Sequence, residues 1–147
     1  MPLLARLDHL VYATPDLGEG IARIEALLGV PVHPGGTHPE WGTRNAIVPL
    51  GDETYLEIIG PDPDRSGSEL PRIFGIAELT EPRLVTWAVK GDLLVAVVER
   101  ASGAGIALGD VRGGSRIRPD GTRINWELTD PFADRAGGTL PFFIDWG

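Results

Sequence analysis

The sequence predicts an α+β fold in which a β-α-β-β-β unit occurs twice within one domain. Strand and helix patterns follow that order over about residues 1–60 and return over about residues 83–147. A linker of about residues 61–82, rich in chain-breaking residues, joins the two units. Each unit has an apolar face that its twin can bury, so we expect a shared core. The strand-to-helix junctions also match, as Thr14-Pro15-Asp16-Leu17 and Lys90-Gly91-Asp92-Leu93.

The first unit begins with a strand over residues 6–14, where His9 shares one face with apolar side chains. A helix follows, for which either Thr14 or Asp16 can serve as the N-terminal cap. Gly29 supplies its C-terminal stop. Apolar residues at helical spacing form its buried stripe, namely Leu17, Ile21, Ile24 and Leu28.

The rest of the first unit reads as extended chain. Residues 30–34 form a short extended piece, and the dense glycines and prolines of residues 35–42 predict a loop. Two strands, at residues 44–50 and 54–59, flank a turn at 51–52.

The second unit repeats this order with different side chains. A short helix around residues 73–79 is expected in the linker before it. Its predicted elements are a strand at 83–89, a helix at 93–101 with Gly91-Asp92 as turn and cap, a short extended piece at 106–108, a Gly/Arg loop at 109–121, and strands at 122–128 and 140–146.

Composition narrows the class of protein. Of the 147 residues, 42% are hydrophobic and 23% charged, as in an ordinary globular domain. The absence of cysteine excludes disulfides, thiolate metal sites and a cysteine nucleophile. A net charge of −8 argues against a nucleic-acid partner. No apolar run reaches the roughly 18 residues of a membrane span and no signal peptide is evident, so we expect a cytoplasmic protein with no membrane partner.

Two polar residues stand out within apolar strands. His9 is either a core histidine with one hydrogen bond, a metal ligand or a general base. Glu57 lies between Leu56 and Ile58, where a carboxylate is unfavourable unless it is paired, coordinated or on a wet face. Imidazole and carboxylate together are common ligands of divalent metals and common acid–base partners.

Other residues are candidates for binding a substrate. His38 is either an exposed loop histidine or part of a loop that folds over the site with Trp41 and Asn45. Most of the aromatic residues Trp87, Trp126, Phe142, Phe143 and Trp146 are expected in the core, with one or two lining a pocket. Trp87 and Trp126 are the ones expected to contact a substrate. The arginines at 112, 116, 118 and 123 either clamp a carboxylate or phosphate or belong to a solvated loop.

The order of elements, together with several short motifs, resembles the vicinal oxygen chelate superfamily, and most closely its glyoxalase-like branch. That superfamily includes glyoxalase I, extradiol dioxygenases, and bleomycin- and fosfomycin-resistance proteins. The resemblance covers nearly the whole chain. The motifs are Leu7-Asp8-His9-Leu10-Val11, Thr14-Pro15-Asp16-Leu17, Gly36-Thr37-His38-Pro39, Gly42-Thr43-Arg44-Asn45, Tyr55-Leu56-Glu57-Ile58-Ile59 and Phe142-Phe143-Ile144-Asp145-Trp146-Gly147.

The resemblance implies a curved, partly open barrel of mixed sheet with the helices outside. It implies a divalent metal in the concavity, Zn²⁺, Fe²⁺, Mn²⁺ or Ni²⁺, with His9 and Glu57 in ligand positions. In the second unit, Val85 stands opposite His9, and the last strand offers only Asp145 as a third ligand. A one-residue shift in register would turn Asp145 to the other face, so a site without metal stays an alternative.

The resemblance also bounds the function. It implies an enzyme, of lyase, isomerase or dioxygenase type, that acts on a small oxygenated metabolite with His9 and Glu57 as catalytic residues. The chemistry would be metal-assisted or acid–base. The alternatives are a non-catalytic protein of the bleomycin-resistance type, which binds a drug or antibiotic, and a structural dimer module. Units of this type pair within one chain or across a homodimer.

Overall fold

The computed structural model describes residues 6–147 as one closed sheet of eight strands with two α-helices outside it. Two 3-10 helices, Ile73–Glu78 and Ala136–Gly138, lie in the connections. The strands and α-helices are β1 Leu7–Ala13, α1 Leu17–Leu28, β2 His33–His38, β3 Thr43–Gly51, β4 Thr54–Pro61, β5 Arg83–Lys90, α2 Leu94–Gly103, β6 Val111–Ile117, β7 Arg123–Thr129 and β8 Phe142–Asp145.

The strands follow the order β1-β4-β3-β2-β6-β7-β8-β5 around the barrel. Each unit therefore contributes four neighbouring strands. Pairing is parallel between β1 and β4 and between β5 and β8, and antiparallel elsewhere. The predicted α+β fold, with two units forming a mixed-sheet barrel, is confirmed.

The two seams between the units differ in extent. Strands β1 and β5 pair along most of their length, whereas β2 and β6 meet through a single residue pair, Thr37 with Ile117. That one pair closes a barrel that the sequence predicts to be partly open.

Side chains fill most of the barrel interior. On β1, Val11 and Ala13 point inward, while Tyr12 packs outward with Ile24 of α1. The inner cluster joins residues from both units, namely Val11, Ala13, Ile59, Ile73, Ile76, Ala88, Trp126, Leu128, Phe142 and Ile144. A shared core is therefore what holds the two units together.

The two α-helices begin differently. Asp16 caps α1 by accepting a hydrogen bond from the Glu19 backbone N–H at 2.9 Å, and Gly29 ends the helix in a left-handed conformation. Thr14 instead supports Asp16 through its hydroxyl. The predicted cap at Asp92 is wrong, because α2 starts after Leu93, whose backbone is left-handed and whose side chain caps nothing.

Two predicted loops are strands. Residues 35–38 belong to β2 and residues 111–117 to β6, although both segments are rich in glycine. The reason is close packing, because a side chain at Gly36 would collide with the Ile117 carbonyl, and one at Gly114 would lie 2.8 Å from the Trp41 ring. Glycine within a strand can mark a close approach instead of a turn.

Among residues 6–147, no helix combines the length and apolar character needed to cross a membrane.

Replacing Phe142 with alanine is expected to lower the free energy of unfolding by about 3–5 kcal/mol. The ring is fully buried and packs against Phe74 and the His9 ring. Urea unfolding measures the loss. Phe132→Ala is the matched control, because Phe132 is 48% exposed and its loss should change stability by less than about 1 kcal/mol. Equal decreases in the free energy of unfolding for the two variants would contradict the role of Phe142 in the shared core.

Candidate active site

A cavity of about 30 Å³ remains inside the barrel, enough for one or two water molecules. Six residues singled out in the sequence line it, namely His9, His38, Trp41, Asn45, Glu57 and Trp126. The sequence gives no signal for Tyr55 and Phe74, which also line the cavity. It offers Phe142 and Trp146 only among aromatic residues that are mostly core, and Arg116 only as one of several loop arginines. The lining comes from both units, so neither forms the site alone.

His9 is held in place by its own neighbour in the chain. Its Nδ1 lies 2.6 Å from the Asp8 carboxylate, and both residues are buried. The other Asp8 oxygen accepts a hydrogen bond from Trp146 Nε1 at 3.0 Å. The His9 ring also stacks on Tyr55, with centroids 4.7 Å apart and planes at 13°. These contacts fix the orientation of the ring and direct Nε2 toward Glu57.

Adjacent residues of a regular strand face opposite sides, so alternation alone does not predict the contact between Asp8 and His9. The pairing of β1 with β5 has a register shift between Leu7 and His9. A bulge of this kind re-aims side chains. No signal in the sequence indicates its position.

Glu57 faces His9 across the cavity. Its Oε2 lies 3.5 Å from His9 Nε2, and its Oε1 accepts a hydrogen bond from Asn45 Nδ2 at 2.8 Å. Buried polar groups are normally paired in this way. The predicted placement of Glu57 beside His9 therefore holds in the structure, with Asn45 as the group that positions the carboxylate.

The chain from Asp8 through His9 to Glu57 has to share protons. An ionised Asp8 can only accept, so the hydrogen between the two residues belongs to His9 Nδ1. Nε2 and the Glu57 oxygen would then be two acceptors facing each other unless one of them carries a proton. A proton on His9 leaves Glu57 as a base, and a proton on Glu57 leaves Nε2 as a base. With one proton between them, the pair contains one acid and one base.

The wall beside this pair is aromatic and neutral. His38 is buried, with Nδ1 2.9 Å from the Thr43 hydroxyl and its ring beside Trp41 and Trp126. Burial lowers the pKa of His38, although the Glu57 charge opposes the shift. Burial and the nearby carboxylates raise the pKa of Tyr55 well above its ordinary value. Both side chains are therefore neutral near pH 7.

Two predicted site residues lie elsewhere. Phe142 and Ile144 of β8 line the cavity, so the alternating Asp145 faces the other side, where its carboxylate accepts a hydrogen bond from the Gly147 backbone N–H. This corrects the prediction of Asp145 as a third ligand. Trp87 pairs with Leu10 on the outer face and donates to the Thr139 carbonyl. This corrects its assignment to the binding site.

The donor set does not fit a divalent metal centre. Metal sites with an open coordination position commonly have three protein ligands. Within residues 6–147, no three His, Asp or Glu side chains converge in a way that could hold a metal ion. At the cavity His9 Nε2 faces Glu57, while Asp8 holds the other nitrogen of His9.

Acid is expected to destabilise the fold through His38. The unfolded imidazole titrates near its ordinary pKa of about 6.5, and burial lowers the pKa of His38 in the folded state. The unfolded state then binds the extra proton, so the free energy of unfolding falls as the pH drops from about 7 to 5.

Urea unfolding at several pH values measures this slope. His38→Asn should flatten it, whereas His33→Asn, at an exposed histidine, should leave it unchanged. Identical slopes in the wild type and the His38 variant would contradict the neutral, buried assignment.

Comparisons with known proteins agree with this architecture. A family model described as a glyoxalase-like domain matches residues 7–147. No curated protein matches the sequence. A hypothetical protein from Staphylococcus aureus superposes with a TM-score of 0.65 at 18% identity, and the alignment covers 95% of this chain but 58% of that one.

Methylmalonyl-CoA epimerases are also structurally similar. The enzyme from Mycobacterium tuberculosis gives a TM-score of 0.52 at 20% identity and covers 99% of this chain and 89% of its own. A Streptomyces coelicolor variant in complex with 2-nitronate-propionyl-CoA gives a TM-score of 0.57 at 21% identity. That alignment covers 95% of this chain and 96% of the other. Identities this low bear on the fold alone. With the family model spanning nearly the whole chain, this protein belongs to the glyoxalase-like domain family of the vicinal oxygen chelate superfamily.

Proposed function

We propose that this protein is an enzyme that moves a proton on a small oxygenated metabolite, with His9 and Glu57 as its acid–base pair. The observation that carries the proposal is the chain of contacts Asp8–His9–Glu57–Asn45 inside the barrel cavity. Asp8 orients the imidazole, and Asn45 orients the carboxylate. General acid–base catalysis needs groups fixed in this way within reach of the substrate.

The reaction class follows from the shared proton. The basic member of the pair takes a proton from the carbon next to a carbonyl group, and the electron pair of that C–H bond moves to the carbonyl oxygen as an enolate. The acidic member donates to that oxygen or returns a proton to the carbon. Atoms and charge balance without an external oxidant. Epimerisation, named for the similar solved structures, uses the same removal and return of a proton.

The cavity volume separates this reaction from the binding alternative. Three tryptophans line the cavity, Trp41, Trp126 and Trp146, and they favour an aromatic ligand. A site for a drug-sized molecule has roughly 300–1,000 Å³, whereas this cavity has about 30 Å³. Proton transfer needs only the reacting carbon and its oxygen beside His9. The enzyme is therefore the better supported of the two functions.

The test is exchange of hydrogen with solvent. The protein is incubated in D₂O with a panel of small 2-oxo acids, hydroxy ketones and 2-hydroxy aldehydes, and ¹H NMR follows the loss of the proton next to the carbonyl. We expect catalysed exchange with at least one compound. Glu57→Gln and His9→Gln should slow it by about 100-fold or more, and Asp8→Asn by about 10–100-fold because it only orients His9.

Asp145→Asn is the matched control, because that carboxylate faces away from the cavity and its loss should leave the exchange rate unchanged. Exchange that survives in Glu57→Gln would overturn the assignment of the base. A panel without any catalysed exchange would count against proton transfer as the function. The predicted homodimer stays a prediction that light scattering of the purified protein decides.

A further inference from the structure

Arg116 is a buried cation without a matching anion. Its residue is 9% exposed, and its Nε has no hydrogen-bond partner among residues 6–147. Within that part of the chain, no carboxylate forms an ion pair with it. A guanidinium stays charged at all ordinary pH values. Burying a nitrogen of such a charged group without a partner is unfavourable, so its position calls for an explanation.

Carboxylates are not scarce in this protein. The chain has 21 Asp and Glu against 13 Lys and Arg, yet Glu57, in the same cavity lining, and Glu40, bonded to the adjacent Ser115, both have other partners. Glu57 is held by Asn45 and faces His9. Glu40 accepts hydrogen bonds from the backbone N–H and the hydroxyl of Ser115. The fold therefore leaves Arg116 available instead of neutralising it.

Arg116 lies where a ligand would meet it. It lines the same cavity as His9 and Glu57. It also lines a second pocket of about 410 Å³, which includes Arg118 and the β3 residues Ile47 and Pro49.

These β3 residues alternate along the inner face of the strand and pair with Glu57 and Tyr55 of β4. Arg116 therefore borders both the small cavity of the reaction site and this pocket at the surface.

We propose that Arg116 binds an oxyanion of the substrate, most simply a carboxylate, and so places the reacting carbon beside His9 and Glu57. The inference rests on the proposed function and names the class of substrate, a small carboxylate that enters past Arg118 and Arg116. A guanidinium donates two parallel hydrogen bonds to a carboxylate. The small cavity favours a carboxylate over the bulkier phosphate, although both present the same chemistry to Arg116.

Small anions test this directly. Acetate, acetamide of the same shape without the charge, and inorganic phosphate are titrated into the protein, and the quenching of tryptophan fluorescence and the Tm are recorded. We expect acetate to change both signals and acetamide to change neither. Arg116→Gln should weaken acetate binding at least tenfold. Arg23→Gln, at an exposed arginine of α1 that lines neither pocket, should keep it within about threefold.

The probes also identify the source of the oxyanion. Tighter binding of phosphate than acetate, lost in Arg116→Gln, would support the oxyanion site and replace the carboxylate with a phosphoryl group. Equal responses to acetate and acetamide would overturn the proposal. The proposal would also be overturned if neither acetate nor phosphate binds, or if Arg116→Gln binds acetate as tightly as the wild type does.

A structural role for Arg116 predicts the opposite change in stability. Removing an unpaired buried charge should raise the Tm of the ligand-free protein, whereas removing a structural arginine should lower it. If Arg116→Gln does not fold, then Arg116→Lys decides, because a lysine keeps the charge without the planar fork and should weaken acetate binding severalfold. Unchanged binding in that variant would overturn bidentate recognition.

The Glu57→Gln variant separates this inference from the proposed function. It should lose proton exchange and still bind acetate, because Arg116 is intact. Exchange in the wild type without acetate binding would leave the proposed function in place and overturn the anion site. Acetate binding without proton exchange in the wild type would support the anion site and count against the proposed function.

Discussion

A barrel of eight strands encloses a space only wide enough for its own side chains to fill. In this protein, apolar residues from both units fill most of that space around Phe142. What they leave is a cavity of about 30 Å³, and His9, Glu57 and Arg116 are among the residues that line it. The narrow interior therefore does two things. It makes the two units depend on one core, and it forces any polar group that points inward to be either paired or functional.

Some of the polar groups inside the barrel are paired with one another, and one is not. Asp8, His9 and Glu57 form one connected chain, with Trp146 and Asn45 at its two ends. A connected network limits the unfavourable free energy of burying charge, because nearly every donor and acceptor in it has a partner. Arg116 lies outside that network. The cavity therefore combines a paired histidine and carboxylate with a cation whose Nε has no partner among residues 6–147, and the proposed proton transfer and anion binding rest on this combination.

Sequence reasoning succeeds here where residues follow the regular period of their strand. Alternation along β1 puts His9 on the inner face, and the same rule applies to Glu57 in β4. It fails where the backbone departs from regularity. The register shift near His9 brings Asp8 into contact with the ring, and no residue pattern marks it.

Glycine is the other source of failure. In β2 and β6 the glycines exist because backbones and tryptophan rings come too close for a side chain, but in the sequence they are indistinguishable from turn residues. His38 and Arg116 therefore appeared to be loop residues when both are in strands. The prediction that Asp145 faces the cavity failed for a simpler reason. The register of a short strand such as β8 is not determined until its pairing with β5 and β7 is known.

The electrostatics of the cavity also bear on the kind of chemistry it supports. A histidine held by a carboxylate through Nδ1 is common to metal ligands and to general bases, so the contact with Asp8 does not choose between them. The rest of the cavity lining does. The second unit presents Phe142 and Ile144 there instead of donors, and β6 adds the positive charge of Arg116. In a small, poorly solvated space, a guanidinium repels a divalent cation and attracts an anion. These charges support the proposed anionic substrate, because the lining combines His9 and Glu57 of the first unit with the cation Arg116 of the second unit.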